Sequence, residues 1–209
     1  MCKPLIEIKR ADNTSALSDF RCGVKSMDDF IHDKKNGLAK FIEYGLSNLW
    51  LVYEGEKVVA FFALSKDVLI LNTNDAHNIL EDENLSSLLP QENETKFWDH
   101  DKFPAIEIDY LAVCEEKRNK HLGTALVNKI VDFAAQDSLS ATKFITVEAL
   151  DTNEYSAVKF YKEHCDFELS DYGIVQNENK VRDGERPTTR LMYRIVIPST
   201  INIGNKVTS

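Results

Sequence analysis

The sequence predicts an α/β domain of the α+β kind, with a mixed central sheet of about seven strands and flanking helices. Residues 104–150 read as strand, helix, strand, which joins two parallel strands through a helical crossover. LWLVYEGEKVVAFFALSKDVLIL carries apolar runs on both sides of Glu54, Gly55 and Glu56, a turn of hairpin length. Two further apolar runs, CDFELS and RLMYRIVI, supply the last strands.

Taken in order, residues 4–9 alternate as a first strand. A helix is entered near Ser26, with Met27, Phe30 and Ile31 on one side. Strands 48–53 and 57–70 pair antiparallel. Residues 72–103 carry eight Asp or Glu against two Lys and read as an acidic insertion. Within it Ile79, Leu80, Leu85, Leu88 and Leu89 form a short helical face that Pro90 ends, and Phe97 with Trp98 pins the return. Strand 104–113 alternates again. Residues 122–136 place Leu122, Leu126, Ile130, Val131 and Ala134 at helical spacing. After strand 143–150, Asp151, Thr152 and Asn153 offer caps for a helix through Ala157, Phe160 and Tyr161. The polar, glycine-bearing stretch 171–187 reads as a long mobile hairpin loop, and 197–209 as a flexible tail.

At 209 residues and 43% hydrophobic composition, the chain is long enough for one sizeable domain. No segment approaches the apolar length of a membrane span, and no leader follows the N-terminal charges, so a cytoplasmic setting without membrane contact is expected. Cys2, Cys22, Cys114 and Cys165 lie far apart, without the paired spacing of a disulfide framework or zinc site. The five histidines form no cluster with one another or with cysteine, so no metal is expected. A net charge of −9 argues against a general nucleic-acid surface and suits a cationic substrate.

The junction at residues 104–126, PAIEIDYLAVCEEKRNKHLGTAL, runs from a strand through a charged turn into a helix. Unpaired N–H groups and the helix dipole make such a place suited to a diphosphate. With the order of elements around it, this junction resembles the GNAT family of acyl-CoA-dependent N-acetyltransferases. That family's signature is Gln or Arg, two residues, Gly, one residue, then Gly or Ala. Arg118, Asn119, Lys120, His121, Leu122 and Gly123 occupy those places, with His121 where the first glycine stands. The resemblance covers residues 1–196 as one domain and implies acetyl-CoA as cosubstrate. It implies that the backbone of Leu111, Ala112 and Val113 pairs with the pantetheine arm, and that N–H groups from Asn119 to Thr124 hold the pyrophosphate.

A second match is VKFYKEHCDFEL, where Tyr161 falls on the tyrosine that in many members protonates the departing thiolate. An aromatic packed on the core is the alternative reading. Asp166 takes a usual glycine position, and Asn153 is a candidate cofactor ligand. The acceptor must lose its ammonium proton before attack, and Glu107 and Asp109 are the candidate bases on the cofactor strand, unranked by sequence. Alternation sets both opposite Ile106, Ile108 and Tyr110.

Phe20, Cys22, Gly23, Asp28 and Phe30 carry a further likeness, to toxin-type GNAT proteins that acetylate aminoacyl-tRNA and pair with an antitoxin. The acidic balance favours a small-molecule or peptide amine as acceptor, with charged tRNA as the alternative. A noncatalytic acyl-CoA sensor is the reading from another class. The apolar C-terminal strands leave room for a homodimer.

Overall fold

A computed structural model describes residues 6–89, 96–137, 140–183 and 188–197. The strands are β1 (Ile6–Ala11), β2 (Asn48–Glu54), β3 (Lys57–Ile70), β4 (Lys102–Val113), β5 (Phe144–Leu150), β6 (Glu168–Leu169) and β7 (Thr189–Ile195). The helices are α1 (Lys25–His32), α2 (Leu38–Glu43), α3 (Thr73–Glu81), α4 (Glu83–Ser86), α5 (Leu122–Gln136), α6 (Val158–Cys165) and α7 (Asp171–Arg182). The strands form one sheet in the order β1-β2-β3-β4-β5-β7-β6. Its pairs are antiparallel except β4 with β5, the parallel pair that the helical crossover requires.

The centre of this sheet is apolar on both sides, which explains the continuous run KVVAFFAL in β3. Phe61 and Phe62 are both fully buried although they point to opposite faces. Phe61 meets Phe20 edge-on, before α1. Phe62 lies in the stack with Trp50, which reaches Phe133 of α5. Burying each such ring stabilises the fold by about 1.5–3 kcal/mol, so this layer ties α1 and α5 to the sheet. Asp28 of α1 accepts hydrogen bonds from the N–H groups of Cys22 (2.8 Å) and Gly23 (3.0 Å), fixing the chain as it enters the helix.

The described parts of the insertion, 72–89 and 96–103, share a second apolar interior with β3, β5 and β7. Asn72 and Asp75 form a reciprocal capping box at the start of α3. Ile79 and Leu89 are buried with Leu69, Phe103, Phe144, Tyr193 and Ile195 in a second core. The expected aromatic pin is present, with Phe97 4.7 Å from the Phe103 ring and edge-on to Trp98. Strand β4 begins at Lys102 rather than 104, because Lys102 and Phe103 pair with Ile70 and Leu69. Pro90 lies outside the described residues, as do 198–209 of the expected tail.

Two local expectations are corrected. Residues 171–182 form α7 instead of a loop. Ser170 Oγ accepts from Gly173 N, and the Asp75 carboxylate accepts from the N–H groups of Asp171 (2.7 Å) and Tyr172 (3.1 Å). Three donors at the helix start are thereby satisfied, two of them by a carboxylate 96 and 97 residues away in sequence. A Cβ on Gly173 would stand 2.7 Å from Leu191 Cβ, so the missing side chain lets α7 lie against β7. The second correction concerns α6, which starts at Val158 and not directly after Asn153. Thr152 closes a turn on Tyr155 instead, through its hydroxyl and its N–H, and Asp151 bridges to Ser156.

No helix among the described residues is long and apolar enough to cross a membrane.

Candidate active site

Strands β4 and β5 pair at only three positions, Ala105 with Phe144, Ile106 with Ile145 and Glu107 with Thr146. Beyond them β4 stays on β3 as far as Val113 and β5 stays on β7 as far as Leu150, so the two strands part. The main-chain groups of 108–113 that point into the gap have no ladder partner there. A cleft of about 630 Å³ opens between them, lined on the β4 side by Leu111, Ala112 and Val113. An extended chain laid into it gains main-chain hydrogen bonds as an added strand would.

The start of α5 closes one end. Asn119 and His121 are both left-handed, at φ 57° and 59°, a conformation that asparagine and histidine accept more readily than branched residues. His121 thus holds the backbone conformation that a glycine would hold, and it is the residue before the helix. No side chain caps the helix, and the first helical bond runs from Ala125 N to His121 O. The N–H groups of Leu122, Gly123 and Thr124 have no acceptor within the helix, and these residues line the cleft with Asn119 and His121. A Cβ on Gly123 would lie 3.1 Å from the Phe160 ring, so glycine lets α5 close on α6. The unpartnered strand edge and this uncapped helix start fit a pantetheine arm followed by a diphosphate.

The two bases of the turn are placed differently. Arg118 lines the cleft and its guanidinium donates to the carbonyl of Cys22. Lys120 donates to the Glu116 carbonyl at 2.9 Å and is not among the lining residues. Asn153 lies exposed in the turn before α6, also away from the cleft.

On the acceptor side, β4 carries an irregularity that the sequence does not announce. Leu64 pairs with Ile108 and Ala63 with Tyr110, leaving Asp109 as an extra residue. This bulge breaks the alternation. Glu107 and Asp109 share one face as expected, but Tyr110 joins them instead of standing opposite, and packs on Phe30 and Phe41 from α1 and α2. Asp109 accepts from Ser47 Oγ (2.6 Å) and Ser65 Oγ (2.8 Å). Burial pushes its carboxyl up while the two hydroxyls pull it back. Glu107, half-buried and without such hydroxyls, is pushed up to about 7, by burial first and then by the charges of Asp109, Asp67 and Glu148.

Asp109 and Glu148 line the cleft; Glu107 does not. Asp67 accepts from the buried Thr146 hydroxyl at 2.5 Å. Asp67 and Glu148 were not named from sequence, and Tyr110 was expected on the opposite face. Alternation along β5 sets Glu148 on the face of Thr146, but linking that face to Glu107 and Asp67 requires the register across three strands.

Tyr161 lines the opposite wall, 5% exposed, with Phe160 and Phe167 edge-on to its ring. Burial raises its phenol far above the ordinary value, so it holds its proton throughout the neutral range. Asp166, left-handed at φ 55°, ends α6 and turns Phe167 into the core, the role expected for it. Beneath this wall, burial pushes the Cys165 thiol up to about 11 while a hydrogen bond to Thr124 opposes the shift.

The acetyltransferase (GNAT) family matches residues 15–167. Among solved structures, the chain is similar to AtaTR bound with acetyl-CoA, at 15% identity and a TM-score of 0.59, over 91% of this chain and 94% of that one. It is similar to AtaT complexed with acetyl-methionyl-tRNAfMet, at 16% identity and a TM-score of 0.57, over 89% and 93%. The KacTA-DNA complex aligns at 13% identity and a TM-score of 0.55, over 92% and 94%. No curated protein sequence matches the chain. With the family match covering most of its length, the chain belongs to the GNAT acetyltransferase family, and these structures share its fold.

Proposed function

We propose that the chain is an acetyl-CoA-dependent N-acetyltransferase acting on a primary amine of a small cationic molecule or peptide. The observation that carries this reading is the parted β4 edge, with an uncapped helix start at one end and two carboxylates on the strand itself. Acetyl-CoA supplies an activated acyl carbon and a thiolate leaving group. The main chain of Leu111, Ala112 and Val113 holds the pantetheine arm, and the N–H groups from Asn119 to Thr124 hold the diphosphate. Arg118 lends positive charge beside it.

Asp109, anchored by Ser47 and Ser65, is the fixed anion that draws and orients the ammonium. Glu107 is the general base. It is charged above about pH 7, where it takes a proton through an intervening water. The ammonium's proton taken in this way passes on to solvent. As the new N–C bond forms and the C–S bond breaks, the nitrogen's second proton leaves to Glu107 through the same water. The Tyr161 hydroxyl gives its own to the departing thiolate, and solvent restores the phenol's proton. Burial keeps the phenol protonated throughout the neutral range, so it holds a proton to give, while the same burial makes it a weaker acid than in water.

Thiol release with a panel of polyamines, aminoglycosides, amino acids, peptides and charged tRNA tests the reading. Release that requires both acetyl-CoA and an amine supports it. Binding of acetyl-CoA with no release on any amine would leave the sensor in its place.

A second reading is supported by the similar solved structures. Among them are the AtaT toxin bound to the C-terminus of the antitoxin AtaR and AtaT complexed with acetyl-methionyl-tRNAfMet, and the N-terminal residues Phe20, Cys22, Gly23, Asp28 and Phe30 carry the same likeness. On this reading the acceptor is aminoacyl-tRNA and an antitoxin is the partner. The net charge of −9 weighs against it. Growth arrest on expression, with acetylation of charged tRNA, would decide for it.

A further inference from the structure

The rings beside the candidate acceptor carboxylates are not buried as the core rings are. Phe20 and Phe61 are 5% and 0% exposed, whereas Phe30, Phe41 and Tyr110 are each half-buried although they pack on one another. Their centroids form a triangle, 4.6 Å from Phe30 to Tyr110, 5.6 Å from Phe30 to Phe41 and 5.8 Å from Phe41 to Tyr110. Tyr110 lines the cleft next to Asp109, with half-buried Met27 of α1 and Val24 just before it, while Phe30 and Phe41 are not among the lining residues and extend this wall outward from Tyr110. The bulge at Asp109 turns Tyr110 onto the carboxylate face, and its hydroxyl feels the charges of both Asp109 and Glu107. The Ser47, Ser65 and Thr146 hydroxyls are spent on Asp109 and Asp67, and the rest of the surface on the α1 and α2 side is aromatic and thioether in character, with the Tyr110 hydroxyl. A polyamine needs anions spaced along its length, and a hydroxyl-rich amine needs many donors and acceptors. Asp67, Glu107, Asp109 and Glu148 cluster on the sheet, and the rings beside them continue neither pattern. An ammonium held by carboxylates with a bulky apolar group on the next carbon satisfies both halves of the surface.

We infer that the acceptor is the α-amine of an amino acid or peptide whose first side chain is large and apolar, and that Phe30, Phe41, Tyr110 and Met27 receive that side chain. This rests on the acetyltransferase reading and narrows its acceptor. The anionic chain as a whole favours such an acceptor over one carried on RNA.

The test compares acceptors that share an α-amine and differ only beside it: glycinamide, leucinamide, phenylalaninamide, the peptide Leu-Gly-Gly, glycyl- and leucyl-tRNA, and spermidine. Thiol release gives kcat/KM for each. The expected result is a rise of at least about tenfold from glycinamide to leucinamide or phenylalaninamide, the scale on which an apolar pocket separates substrates by size, with Leu-Gly-Gly also accepted. In Phe41→Leu and Phe30→Leu the ratio of leucinamide to glycinamide falls toward one. The thermal shift produced by acetyl-CoA confirms that these variants are folded, and the acceptor series on the unaltered protein stands without them.

Equal kcat/KM for glycinamide and leucinamide overturns the inference, as does a ratio that survives both substitutions. Spermidine as the best acceptor overturns it while leaving the acetyltransferase reading intact. Acetylation of leucyl-tRNA without either amide or Leu-Gly-Gly overturns it in favour of an RNA-borne amine. Absence of release with every amine removes the acetyltransferase reading, and this acceptor with it.

Discussion

Replacing Glu107 by Gln removes a carboxylate that the fold holds under electrostatic pressure, and the consequence has a definite sign. Its carboxyl is raised from the usual 4.5 to about 7, so the folded state binds the proton more tightly than the unfolded chain does. The stability that follows is fully present below about pH 4.5 and is lost as pH rises through 7. At 1.36 kcal/mol per unit, the whole shift bounds the effect at about 3.4 kcal/mol. Glu107 is only half-buried, so solvent screening reduces this to about 1–2 kcal/mol. Glu107→Gln should therefore be more stable than the parent by that amount at pH 8 and no more stable at pH 4.5. Urea unfolding followed by fluorescence at the two pH values measures it. The same substitution should remove the acid limb, centred near pH 7, from the profile of kcat/KM and lower the plateau by about 10²–10⁴-fold. Equal stability gains at both pH values would refute the electrostatic argument. An unchanged acid limb would move the base to Asp109.

Tyr161→Phe should retain the thermal shift with acetyl-CoA and lower kcat about 10²-fold or more, since a general acid is lost while the ring remains; unchanged turnover removes Tyr161 from the mechanism. Gly123→Ala places a methyl 3.1 Å from the Phe160 ring and should raise KM for acetyl-CoA several-fold, as α5 must move back from α6. Asp75→Asn should cost about 2–3 kcal/mol in urea unfolding, because its buried carboxylate serves the starts of both α3 and α7.

The succession of strands and two of their pairings were legible because the signals are local: a hairpin turn at Gly55, a crossover helix between β4 and β5, and apolar runs too continuous for surface strands. The α5 start was legible for the same reason, down to the tolerance of His121 for a glycine's conformation. What escaped lies in contacts between distant segments. Residues 171–182 are too polar to announce a helix, and the carboxylate that caps them belongs to Asp75, outside any local window. Asp151, Thr152 and Asn153 are all good capping residues, but Thr152 spends its hydroxyl on a tight turn, which delays α6 and leaves Asn153 exposed. Alternation ranked neither carboxylate, since the difference between them comes from Ser47 and Ser65, 62 and 44 residues away.

The extra residue at Asp109 puts the two halves of β4 out of phase, and this makes the strand intolerant of changes in length. Shortening it by one residue at the bulge would restore a regular ladder with β3, gaining backbone order. It would also require either the carboxylates before the bulge or the rings and cleft edge after it to change sides. Substitutions along β4 thus leave the two halves aligned, whereas a single deletion separates them, so the length of this strand carries information that its individual side chains do not.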